Sequence, residues 1–175
     1  MRRRISNLTF VLAGVVLAAA AGCRDAAPPV APAGPKPAFD QGGNGGNNPH
    51  LLACTVHDSA SVSAMVGASG ASLQLGNVHL VIPGNALSDS VLITMTIPAD
   101  TLADVEFEPH DLQFSKNVVL QLSTAGCTVG SQSPSHVLYL DNSGTVQETL
   151  DGTYHGNSGT VVTKIHHFSW YAIAF

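Results

Sequence analysis

Between residues 60 and 175 the apolar positions recur with a period of two, the spacing of a strand with one buried face. In "SVSAMVG", Val62, Ala64 and Val66 alternate with Ser61 and Ser63. "SVLITMTIPA" sets Val91, Ile93, Met95 and Ile97 on one side, with Leu92, Thr94 and Thr96 on the other. "ASLQLG" and "NVHLVIP" are two short strands joined through Gly76-Asn77, where a left-handed backbone costs little. "VEFEP", "LQFSK", "VVLQLST" and "HVLYLD" follow at short spacing. Then "TVQETL" and "TVVTKIHH" are set between the turn signals "DNSG", Asp151-Gly152 and "GNSG". No segment keeps apolar residues at helical spacing over three turns; the best helical candidate is one turn at Pro83 to Ser88. The pattern predicts an all-β fold, an antiparallel β-sandwich of many short strands with a single core.

The first 49 residues read differently. Met1 to Arg4 is a basic head and Phe10 to Ala21 an unbroken run of apolar and small residues, the layout of a secretory signal. The run is too short to span a bilayer comfortably. Arg2 to Arg4 also raise a twin-arginine route, but no Phe-Leu pair follows at the expected spacing. "LAAAAGC", ending at Cys23, resembles the lipobox of bacterial lipoproteins, with Ala20 where leucine is usual. That resemblance implies cleavage before Cys23, a diacylglyceryl thioether on its sulfur and an acylated new N-terminus. Two or more acyl chains anchor stably where one is marginal, at about 0.8 kcal/mol per buried CH₂. The other reading of Cys23 is an incidental thiol beside an ordinary cleavage site. Arg24 follows the cysteine where an aspartate would, by resemblance to enteric sorting rules, retain the chain at the inner membrane.

Residues 23–49 read as a linker, stiff and extended through "APPVAPAGPKPAF" and flexible through "DQGGNGGNNP". The chain thus divides into a signal peptide over 1–22, a linker over 23–49 and a sandwich domain over 50–175. In the domain the basic residues are Lys116 and Lys164, against ten aspartates and glutamates. So acidic a surface repels nucleic acid and anionic lipid, and neither is an expected partner. Two cysteines remain, Cys54 and Cys127. In an oxidising compartment an even pair is most simply a disulfide, and a two-thiol metal site is the weaker alternative.

One series of segments resembles the ZU-five domain, the β-sandwich module of zonula-occludens proteins, netrin receptors and ankyrins. "GASGASLQLGNVHLVIPGNALSDSVLITMTIP" is similar to its opening: a Gly-rich turn, two short strands, Ile-Pro-x-x-Ala-Leu and a long strand. Those four residues are here Ile82, Pro83, Ala86 and Leu87, and "GASGAS" stands where the family more often has a Gly-Gly pair. Later, "HVLYLD" resembles the strand ending in an acidic turn, and "KIHHFSWYAI" the closing His-Phe-Ser strand. The resemblance runs over residues 60–175 and implies a binding module on a lipobox-anchored stalk. Physically the motif is structural: Pro83 ends a ladder, and Ala86 and Leu87 can tuck over one end of the sandwich.

The same resemblance implies one chemical possibility, since some relatives cut themselves before the hydroxyl of this triplet. Here the bond would be Phe168–Ser169. Ser169 Oγ would attack the preceding carbonyl, His167 would take its proton, and water would hydrolyse the resulting ester. The plainer reading is one closing strand, with Ile165, His167, Ser169, Tyr171 and Ile173 on one face and Lys164, His166, Phe168, Trp170 and Ala172 on the other. The eight histidines include no i, i+2 pair that would aim two rings at one metal, and no metal or cofactor is expected. "DNSGTVQE" lacks the acidic positions of a calcium loop and reads as a hairpin turn. His57-Asp58-Ser59 has no Gly-x-Ser-x-Gly elbow to make it a triad.

The sequence therefore predicts an exported, non-enzymatic protein, membrane-anchored through Cys23 in a bacterial cell envelope, at the outer membrane or the periplasmic face. Its sandwich would serve contact with an envelope protein that the sequence does not identify, and it leaves the oligomeric state open. Self-cleavage at Phe168–Ser169 is the first alternative. A carbohydrate- or wall-binding sandwich is the second, for which Trp170 is the lone tryptophan on offer.

Overall fold

A computed structural model of the protein describes residues 50–141 and 143–175. The expected signal peptide, the linker and Cys23 lie outside the described residues. The described part contains no helix and forms eleven strands. They are β1 (Ala60–Val66), β2 (Ala71–Leu75), β3 (Val78–Ile82), β4 (Val91–Ile97) and β5 (Asp104–Glu108). After them come β6 (Gln113–Ser123), β7 (His136–Leu140), β8 (Val146–Asp151), β9 (Thr153–His155), β10 (Thr160–His167) and β11 (Trp170–Ala174). They make two antiparallel sheets, ordered β1-β4-β5-β11-β7-β8 and β2-β3-β6-β10-β9. The all-β sandwich expected from the alternation is the fold.

The alternating residues do what their period requires. Ile93 and Met95 of β4 are fully buried, with Val62 and Ala64 of β1 as their cross-strand neighbours on the same face. Leu73, Leu80, Val118, Leu120, Leu122 and Val161 supply the opposing inner face of the second sheet. "LQFSK" and "VVLQLST" are one strand, β6, which leaves the core only where Ser115, Lys116 and Asn117 are exposed. The short β9 lies between two turn signals, where the apolar pattern is too brief to register.

The turn that carries Pro83 forms no helix. Ala86 and Leu87 are buried, and the stretch is pinned by Asn85 N–H donating to Ala68 O at 2.7 Å and Ser115 N–H donating to Ala86 O at 3.0 Å. Gly70 faces this crossing with φ +74°, and a Cβ there would collide with the Ile82 carbonyl and the Pro83–Gly84 backbone. No L side chain fits that conformation and that space together.

Cys54 and Cys127 form a disulfide. It ties the segment entering β1 to the connection between β6 and β7, and it is flanked by Thr55 N–H to Gly126 O and Thr128 N–H to Ala53 O.

The end of the chain departs from the single closing strand read in the sequence. β10 belongs to the five-stranded sheet and β11 to the six-stranded one, so the chain changes sheets at His167-Phe168-Ser169. A register shift between Ile165 and His167 marks the start of the crossing. Phe168 therefore turns into the main core, and Trp170 does not share its face. β11 is buried along its whole length, between β5 and β7.

Candidate functional site

The sheet crossing is where the sequence placed its one chemical possibility, so its geometry decides what those residues can do. Phe168 is fixed by two rings. It stacks on Phe107 at 4.8 Å and 13°, and Phe114 meets it edge-on at 4.8 Å and 76°. Tyr171 joins the same group against Phe107 at 6.2 Å. Offset and edge-to-face pairs of this kind add about 0.5–1.5 kcal/mol each beyond burial.

Three backbone groups around the Phe168–Ser169 bond are hydrogen-bonded. Phe168 N–H donates to Leu112 O at 3.0 Å, and Phe168 O accepts from Asp111 N–H at 2.9 Å. Ser169 O accepts from Phe107 N–H at 3.0 Å. Asp111, at φ +60°, is the turn residue that presents its N–H to this carbonyl. The Ser169 hydroxyl is buried and donates to Leu140 O on β7 at 2.7 Å.

His167 belongs to a different set of contacts. The Tyr171 hydroxyl donates to His167 O at 2.7 Å and lies 3.2 Å from His167 Nδ1. The ring packs on Tyr139 at 4.5 Å, and its Nε2 is 4.0 Å from a Glu148 oxygen. The triplet is thus divided. The hydroxyl is bonded to β7, while the imidazole is bonded to Tyr171 and faces Tyr139 and Glu148. An N→O shift needs the base at the hydroxyl and the hydroxyl at the preceding carbonyl carbon.

Beside the crossing lies a cleft of about 330 Å³, lined by His110, Asp111, Tyr139, Asp141, Ser143 and Ser169. Its acidic wall is a built turn. Asp141 Oδ1 accepts from Ser143 N–H, Ser143 Oγ and Thr145 N–H at 2.6–2.9 Å, and Gln147 donates to Oδ2 at 2.8 Å. The Ser143 hydroxyl and the other donors hold this carboxyl below the usual carboxylate range. The expected hairpin turn is therefore the role of "DNSG", and its aspartate is occupied by its own loop. Opposite, His110 Nε2 sits 3.1 Å from Glu106 Oε1.

Tyr171 supplies a pH response. Burial above all, then the charges of Tyr139 and Glu148, push its hydroxyl above the ordinary phenol value. The unfolded chain releases this proton first, so the stability it represents is complete below about pH 10 and is lost as pH rises beyond. Thermal melts should show the midpoint falling above that pH, and Tyr171→Phe should lessen the fall. An equal alkaline fall in the variant would assign the effect elsewhere.

The remaining sequence candidates are dispersed. Among the described residues no three His, Cys, Asp or Glu side chains gather as a metal would need. Trp170, the lone tryptophan available to a sugar-binding reading, is buried with its indole N–H donating to Asp104 at 2.7 Å. Sequence reasoning missed both that bond and the two-sided burial of β11. The burial had a signal, because "WYAIAF" is a continuous apolar run and such runs mark strands covered on both faces. The Trp170–Asp104 pair, 66 positions apart, had none. In comparison with known proteins, the chain matches no family model and no curated protein.

Proposed function

We propose that this chain is a lipid-anchored cell-envelope protein whose ZU-five-like sandwich makes a contact with another protein and performs no chemistry of its own. The observation that carries the reading is the division of the His-Phe-Ser triplet. Its hydroxyl is bonded to Leu140, its imidazole to Tyr171, and its phenylalanine to a core cluster, all structural uses. The Cys54–Cys127 disulfide supports an oxidising compartment, and the basic, apolar, Cys23-terminated leader supports export with an anchor. The series from Gly67 to Pro98 supports the ZU-five likeness.

The outer face of β1 and β4 offers the contact. Met65 and Leu92 stand directly opposite each other in register, 64% and 57% exposed, in a row otherwise made of serine and threonine. An exposed apolar pair on a polar face suits a protein partner more than solvent. Exposed substitutions of this kind change stability by about 0.5 kcal/mol or less. Met65→Ser with Leu92→Thr, which match the rest of the row, should therefore leave the melting point in place while removing cross-links to the chain in intact envelopes. Labelling with radioactive fatty acid should mark the parent and be lost in Cys23→Ser. Unchanged cross-links would end the contact assignment, and absent label would end the anchor. Intact mass of the purified chain addresses self-processing: a released fragment beginning at Ser169 would replace this reading with the autoproteolytic one.

A further inference from the structure

Among the described residues the two sheets end in four edge strands, β1 and β8 in one and β2 and β9 in the other. An edge presents unpaired N–H and C=O groups, and proteins guard it with charge, proline, bulges or shortness. β8 carries Glu148 and Asp151, and its pairing with β7 shifts register between Tyr139 and Leu140. β9 has three residues and β2 has five. β1 has none of these guards. Its seven residues, Ala60–Val66, include no charge and no proline, and they pair with β4 in unbroken register. Among the described residues, none of the backbone hydrogen bonds made outside the strand ladders involves residues 60–66.

The inner face of β1 shows what that open side lacks. Val62 and Ala64 point toward the core, opposite Met95 and Ile93, which are fully buried. Val62 and Ala64 are themselves only half-buried, and a further strand beside β1 would close them over. The order of residues in the strand suits one neighbour in particular. Counted outward from Ser63 in both directions, Val62 and Ala64 stand at one step, and Ala60 and Val66 at three. An antiparallel pair about a two-fold axis requires such a palindrome, because the buried positions of the strand must meet those of its own copy. We propose that β1 pairs antiparallel with β1 of a second copy about a two-fold axis at Ser63, so that one sheet runs through both.

In that register Ser63 lies beside the partner's Ser63, Val62 beside the partner's Ala64, and Ser61 beside the partner's Met65. Val62 and Ala64 then carry the apolar layer across the junction. Charge favours the same place. The domain holds ten aspartates and glutamates against two lysines, so two copies repel over much of their surface. β1 and its neighbour β4 carry no charged side chain, and there two copies can approach. The pairing is made by backbone groups at the sheet edge. It is therefore separate from the outer-face contact at Met65 and Leu92 and does not depend on it.

Sedimentation of the purified full chain in mild detergent should show the mass rising from one copy to two with concentration. Amide hydrogen exchange at residues 60–66 should slow over the same range. Ser63 is exposed, and Ser63→Lys sets two like charges face to face at the axis, which should weaken the dimer severalfold. Ser63→Glu should do the same. An equal mixture of the two variants should restore the dimer, which also shows that both are folded. A chain that remains a single copy at every concentration would overturn the proposal. So would a Ser63→Lys chain that dimerises as the parent does, or a mixture no more associated than its components, since the copies would then meet elsewhere.

Discussion

Replacing Phe168 by alanine should lower stability by about 3–5 kcal/mol, the range for deleting a fully buried aromatic ring. For a domain of this size that corresponds to a drop of roughly 10–20 °C in the melting midpoint. The site favours the upper half of the range. Phe107 lies parallel to the lost ring and Phe114 meets it edge-on, so two faces of the cavity would be rigid aromatic walls. Phe168 also stands at the point where the backbone leaves one sheet for the other, with both its N–H and its carbonyl bonded to the turn at Asp111 and Leu112. Those bonds resist collapse of the cavity. Phe168→Leu keeps most of the apolar volume and should cost markedly less. The measurement is urea or thermal unfolding of the two variants beside the parent. A loss below about 1 kcal/mol for alanine, the usual cost of a mild substitution, would mean that the ring cluster does not hold the crossing.

Loss of the disulfide is the second large effect. Cys54 and Cys127 are 73 positions apart, and closing a loop of that length restricts the unfolded chain by about 4 kcal/mol in the chain-entropy account. The bond also has a local task. It holds the segment whose Leu52 is fully buried and whose backbone bonds to Ile173 and Ala103, at the same end of β11 where Leu51 bridges Ala174. Cys54→Ala with Cys127→Ala, or reduction of the parent, should therefore lower the midpoint by roughly 10–15 °C. Hydrogen exchange should show protection lost first at Leu52 and Ile173. Equal midpoints with and without reductant would show that the bond constrains nothing the fold does not already hold.

The strands of the sandwich were legible in the sequence because the inner faces keep a strict period of two, as Ile93 and Met95 show. The turns were legible because glycine, asparagine and aspartate sit where the ladders end. The crossing was not, and the reason is parity. From Ile165 to Phe168 is an odd step, and from Phe168 to Tyr171 is another. Their sum is even, so Ile165, Tyr171 and Ile173 lie in the main core as unbroken alternation requires. Only the residues between the two irregularities are displaced, and these are the residues on which the self-cleavage idea rests. A periodic reading that is right at both ends cannot see a paired break in the middle. The partners of the Ser169 hydroxyl and the His167 ring follow from that break, since β7 and Tyr171 reach them only across the change of sheet.

The place of β11 has a consequence for how the chain is assembled. Among the described strands it is the last made, yet it occupies an interior position, with β1, β4 and β5 on one side and β7 and β8 on the other. Until residues 170–174 emerge, that sheet exists as two ribbons with nothing between them, each showing an unpaired edge. A chain synthesised or translocated from its N-terminus thus carries an open seam for most of its passage. Contacts such as that between Asp104 and Trp170 form at the finish, so closure is late, cooperative and slow. Such a chain stays threadable until its final strand arrives.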